Sequence, residues 1–133
     1  MERLLASALG EEPADTVLSG CTLFNPFDCS WEETSVAITG GIIAGIGDYA
    51  GVERVELKGA RVVPGLVDAH VHIESSLLVP AEFGRAVLPH GTTTVIADPH
   101  EIANVAGTRG IEYMLEAASR TPIDILFTLP SCV

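Results

Sequence analysis

The sequence predicts an α/β protein in which part of a small β-domain, residues 1–60, is followed over residues 61–133 by the first three βα units of a (β/α)8 barrel. Three observations lead there. The hydropathy pattern changes after Gly59 from short alternating β-branched runs to an order of strand, helix, strand, helix, strand, which implies parallel strands with right-handed crossovers. His70 and His100 stand 30 residues apart, and Ser131, at the equivalent end of the third strand, follows 31 residues later; a barrel of about 250 residues allots roughly 31 to each unit. Finally, Asp68-Ala-His70-Val-His72 and Asp98-Pro-His100-Glu101 hold three of the four histidines, and each begins where an apolar run gives out. Barrel enzymes keep their chemistry at that end of the strands.

Each element has its own signal. Leu4, Leu5, Ala8 and Leu9 mark one face of a short N-terminal helix over residues 2–9, stopped by Gly10 and Pro13. Thr16–Ser19, Val36–Thr39 and Ile42–Ile46 read as strands, with Gly40-Gly41 as a hairpin turn between the last two. Pro64-Gly65 marks the entry to the second part, whose first strand region is Val62–His72. Pro80–Leu88 is a helix with proline in its first turn, and Thr92–Ala97 a buried strand. Thr108–Ser119 is a helix with Ile111, Met114, Leu115 and Ala118 on one face, and Asp124–Leu129 a third strand ended by Pro130. Three strands cannot close a barrel, so the chain is expected to be the N-terminal piece of a longer enzyme; an open three-unit layer is the alternative.

Composition narrows the partners. Eighteen acidic against seven basic residues give a net charge of -11, and the basic residues form no stripe, which argues against nucleic acid and anionic membrane surfaces. No run approaches the roughly 18 apolar residues of a membrane span, and the N-terminus lacks the features of a signal peptide. Cys21, Cys29 and Cys132 are odd in number and include no Cys-x-x-Cys pair, so a reducing cytoplasm is expected and neither a disulfide framework nor a zinc ribbon is indicated. Gly45-Ile-Gly47 lacks the third glycine and the following helix of a dinucleotide loop.

The two clusters carry the chemistry. On a strand, Asp68, His70 and His72 share a face, so the two imidazoles can tilt towards one cation with Asp68 as an orienting neighbour. A half-exposed strand with incidental histidines is the alternative, disfavoured by the apolar flank. Thr94, Ile96, Asp98 and His100 share one parity, and Pro99 ends the strand, bringing Asp98, His100 and Glu101 to the rim. A histidine between two carboxylates suits proton transfer near neutral pH; helix capping by Asp98 and Glu101 is the other reading and is compatible with it. Glu74, Ser75 and Ser76 are either substrate-facing or loop-capping, and no nucleophile elbow surrounds either serine. His90 and Cys132 are read as structural.

Together these residues resemble a known family. From Val36-Ala-Ile-Thr-Gly-Gly-Ile-Ile-Ala-Gly-Ile-Gly47 through Pro64-Gly-Leu-Val-Asp-Ala-His-Val-His-Ile-Glu-Ser-Ser76 to Leu129-Pro-Ser-Cys132, the chain is similar to the N-terminal part of the adenine deaminases of the amidohydrolase superfamily. His-x-His after Pro-Gly marks the superfamily, and Ala97-Asp-Pro-His-Glu-Ile-Ala-Asn104 is particular to adenine deaminases. The resemblance implies a metal-dependent hydrolase barrel beside a small β-sandwich-like domain, and hydrolysis of adenine to hypoxanthine and ammonia in purine salvage. It implies a binuclear centre of manganese or iron, with zinc as a further candidate, and a cytoplasmic homo-oligomer. It makes His70 and His72 ligands of one metal and Asp98, His100 and Glu101 proton-handling residues, with Glu74, Ser75 and Ser76 kept as the candidate substrate contacts. The ligands of later strands are missing from 133 residues, so activity is expected only in the full-length parent. Competing expectations are a dihydroorotase-like or hydantoinase-like ring opener, which needs no Asp-Pro-His-Glu, and a non-catalytic truncated module serving in assembly.

Overall fold

A computed structural model describes residues 1–130. The chain divides into two compact units, the first Met1–Pro64 and the second beginning at Gly65.

In the first unit a helix, α1 (Glu2–Ala8), precedes strands β1 (Ala14–Asn25), β2 (Ser30–Thr39), β3 (Ile42–Ile46), β4 (Gly51–Glu56) and β5 (Arg61–Val62). The sheet order is β3-β2-β1-β4, with β5 pairing further along β1. Val17 pairs with Ala37, and both are fully buried; Leu18 and Val36, next in register, face the other side. Gly40 and Gly41 turn β2 into β3 with φ of 60° and 78°, the backbone that a two-residue hairpin turn demands.

Several expectations for this unit are corrected. The helix buries Ser7, while Leu5 and Leu9 are exposed, so its packed side is not the leucine face. The strand β4, parallel to β1, was not expected, because Gly51-Val-Glu-Arg-Val-Glu alternates poorly at an exposed edge. The run Val62–His72 is not one strand: Arg61–Val62 pairs with Thr22 and Leu23 of the first sheet, and the next strand starts at Leu66.

The second unit holds β6 (Leu66–Val71), a 3-10 turn (Glu74–Ser76), α2 (Pro80–Val87), β7 (Thr92–Ala97), α3 (His100–Ala106), α4 (Thr108–Ala118) and β8 (Asp124–Phe127). The strands form a parallel sheet in the order β6-β7-β8, the fold class of a barrel's opening βα units. Ile73, Val95 and Ala97 are fully buried and pack with Phe83, Met114 and Ile123. Proline at N1 starts α2, and a second 3-10 turn, Leu88–His90, ends in Gly91 at φ 94° before β7.

Here too the structure differs from expectation. On α4 Met114 is buried but Leu115 is exposed, so the apolar stripe is narrower than the periodicity suggested. The third strand stops at Phe127, two residues early, and Ser131 and Cys132 lie outside the described residues. Leu66 and Val67 of β6 and Leu126 of β8 are more than half exposed, although parallel strands are ordinarily covered on both faces. No helix among the described residues is long and apolar enough to cross a membrane.

Candidate metal and proton-transfer site

The parallel strands of the second unit finish along one rim. Val71 is in register with Ala97, and Ala97 with Phe127. The amide of Asp98 donates to the Val71 carbonyl at 3.0 Å, which sets the end of β7 against the end of β6. His72 and Asp98 therefore leave neighbouring strands side by side.

The same local contact recurs in both strands. Asp68 Oδ1 accepts the amide N–H of His70 at 3.1 Å, and Asp98 Oδ1 accepts that of His100 at 3.2 Å. An aspartate whose side chain takes the amide two residues on competes with the ladder: at Asp68 the register of β6 shifts, and by Asp98 β7 has ended. Sequence reasoning missed this, although the repeated Asp-x-His was its signal. The register of β6 shifts between Asp68 and Val71, so Asp68 orients His70 through its main chain.

Three imidazoles meet in sequence at this rim. His70 and His72 approach Nε2 to Nε2 at 3.1 Å, with the rings edge to face and their centroids 4.9 Å apart. His72 Nδ1 lies 3.2 Å from the Asp98 carbonyl oxygen. A carbonyl only accepts, so Nδ1 carries the proton and Nε2 is left with its lone pair. The His72 and His100 rings also meet edge to face, 4.7 Å between centroids. His100 Nδ1 is 3.3 Å from Asp98 Oδ2, yet this contact lacks hydrogen-bond alignment and leaves a buried ring nitrogen unengaged.

This donor set fits a divalent cation. Ligating atoms of His72, Asp98 and His100 all lie within 4.8 Å of one another, a grouping of imidazole nitrogen and carboxylate oxygen that suits zinc, iron or manganese. His70 joins it through His72: two ligands about 2.1 Å from one ion stand roughly 3.0–3.4 Å apart, and the two Nε2 atoms are at 3.1 Å.

The remaining candidates fall around this group. His100 and Glu101, expected at a strand end, form the first turn of α3, because the Asp98 carboxylate takes the His100 amide and the helix begins there. Glu101 Oε1 accepts a hydrogen bond from Ser75 Oγ at 2.7 Å. Glu74 Oε1 accepts the Ile102 N–H at 3.3 Å, while its Oε2 is buried without a hydrogen bond. Ser76 Oγ donates to the Ile73 carbonyl at 2.6 Å, closing its own 3-10 turn. His90 sits exposed at the end of the turn before β7, outside the metal-ligating grouping.

Comparison with known proteins agrees in direction. A model of the amidohydrolase family matches residues 61–133. The chain is 62% identical over 131 residues to an adenine deaminase of Methanoregula boonei, covering 98% of this chain and 24% of that protein. It is 54% identical to an adenine deaminase of Bacillus velezensis, covering 99% of this chain and 23% of the relative. It thus spans about a quarter of the length of the curated relatives it matches. Among solved structures, a D-aminoacylase studied for its binuclear metal centre is similar at 28% identity with a TM-score of 0.56, over 64% of this chain and 18% of that one. An N-acyl-D-glutamate deacylase of Bordetella bronchiseptica, complexed with zinc, shares the fold at 21% identity and a TM-score of 0.52, over 65% of this chain and 19% of that one.

Proposed function

The chain belongs to the amidohydrolase family, and from that premise we propose that it supplies the first metal-binding and proton-transferring segments of an enzyme that hydrolyses adenine to hypoxanthine and ammonia. One observation carries this reading: in a chain similar to adenine deaminases over nearly its whole length, the Asp-Pro-His-Glu segment lies against the His-x-His pair rather than apart from it. His70 and His72 are read as ligands of one divalent ion, with Asp98 and His100 within ligating distance of the same place. A manganese or iron pair is the form we favour, with zinc as the alternative. When bound, such an ion brings the pKa of water down towards neutrality and acts as a Lewis acid.

The residues of the chain do the rest. In the overall reaction the oxygen of water bonds to C6 of adenine and the bond from C6 to the exocyclic nitrogen breaks. One proton of that water ends on ring N1 and the other on the departing amine, which leaves as ammonia. Glu101 and His100 stand in the first turn of α3, one residue apart, and are read as the pair that accepts and returns these protons. Asp98 fixes the His100 main chain through its amide and stands beside the ring.

The test is turnover by the complete gene product, loaded with manganese, iron or zinc. Adenine should yield hypoxanthine and ammonia in equal amounts, and dihydroorotate and hydantoin should remain intact. Ring opening of the cyclic amides without adenine turnover would replace this reading with the wider amidohydrolase one.

A further inference from the structure

The loop after β6 touches the proposed proton carrier directly. Ser75 and Glu74 were expected to face substrate or to cap their own loop, yet both reach across to α3: Ser75 Oγ donates to Glu101 Oε1 at 2.7 Å, and Glu74 Oε1 accepts the Ile102 N–H at 3.3 Å. The two contacts come from consecutive residues of one 3-10 turn and land on consecutive residues of one helical turn. That turn is itself closed, by the Ser76 amide and hydroxyl on the Ile73 carbonyl, and Ile73 is fully buried in the core. The Ser75 hydroxyl is therefore delivered from a fixed point.

We infer that Ser75 is a positioning residue: its hydroxyl holds one carboxylate oxygen of Glu101, so that the other is presented to the reacting water in a single orientation. The geometry requires no contact between Ser75 and substrate. A glutamate at a helix start has three rotatable side-chain bonds, and the chemistry needs one of their many combinations. The 2.7 Å hydrogen bond from the Ser75 hydroxyl selects it. Glu74 sets the helix backbone and Ser75 sets the side chain upon it. The inference rests on the reading of Glu101 as the proton carrier.

The experiment is a kinetic cycle on the metal-loaded complete gene product with Ser75→Ala, Ser75→Thr, Glu101→Gln and the double variant Ser75→Ala/Glu101→Gln. Ser75→Ala should lower kcat by about 10- to 100-fold, the factor carried by one hydrogen bond to a charged group, with KM for adenine and metal content unchanged. Ser75→Thr, which keeps the hydroxyl, should restore most of the loss. In the Glu101→Gln background the alanine change should cost little further, since both act on one group. A raised KM with unchanged kcat in Ser75→Ala would make Ser75 a substrate contact and overturn the inference, as would losses that multiply in the double variant. Should Glu101→Gln itself leave turnover intact, the proton-carrier reading fails instead, so the two failures are distinct. A crystal structure of Ser75→Ala gives a readout independent of turnover: the Glu101 carboxylate should leave its place while α3 stays, and an unmoved carboxylate would contradict positioning by Ser75.

Discussion

Asp98 serves two groups with two oxygens, and substitutions separate them. Oδ1 takes the His100 amide at 3.2 Å, and Oδ2 stands 3.3 Å from His100 Nδ1 within the cluster of metal-ligating atoms. Asp98→Asn keeps the first oxygen and loses the charge; Asp98→Ala loses both. Removing a side-chain hydrogen-bond acceptor costs about 1 kcal/mol, up to roughly 2, and Asp98 is only 16% exposed, so water compensates poorly. On a chain of this size that is a fall in Tm of about 3–6 °C for Asp98→Ala and of about 1 °C for Asp98→Asn. Both variants should bind manganese or zinc at least 10- to 100-fold more weakly, the loss seen when even the groups supporting a ligand are removed. Thermal melts of the metal-free chain, together with calorimetric metal titrations, read the two effects separately. Variants that melt alike would deny Oδ1 its hold on the His100 amide, and variants that both bind metal as tightly as the parent would deny Oδ2 its place among the donors.

Other consequences are more local. His72→Ala should weaken metal binding more than His70→Ala, since the His72 ring meets His70, Asp98 and His100 while, among the described residues, the His70 ring meets that of His72; equal losses in titration would contradict that order. Gly110→Ala should destabilise the chain by about 1–3 kcal/mol in spite of the better helix former, because the new Cβ would stand 2.7 Å from Ile102 Cγ1 and 2.8 Å from the Ile102 carbonyl oxygen; a gain in Tm would show that α3 and α4 can separate freely. Asp15 is held below the ordinary carboxylate range, first by the Gly40 amide and then by Arg3. A carboxyl lowered by folding adds stability above its unfolded pKa and loses it as pH falls through the folded one. Stability should therefore decline below about pH 4, and Asp15→Asn should flatten that decline in pH-dependent melts.

Much of the second unit was legible because the positions that set it are covalent or steric. Pro80 starts α2, Gly91 turns the chain into β7, and Thr92–Ala97 is the strand the apolar run implied. The Gly40-Gly41 turn was equally plain, since few other residues accept that backbone. What escaped depended on competition. β4 earns its place only by pairing with β1, and its own sequence is that of an exposed edge. α3 was given no range because Asp98-Pro-His100 reads as the end of a strand by parity, and a helix start at Asp98 and Glu101 was only the other reading; the His100 amide on the Asp98 carboxylate marks that start. At the site, the spacing of the histidines was visible in the sequence, but the links from Ser75 to Glu101 and from Glu74 to Ile102 cross 26 and 28 residues and follow from the parallel register alone.

The most direct test of the account is the anomalous scattering of manganese in crystals of the metal-loaded complete gene product. A peak is expected about 2.0–2.3 Å from a ring nitrogen of His72, shared with His70 and bordered by Asp98 and His100. A peak coordinated elsewhere, with the His70 and His72 rings turned apart, would contradict it.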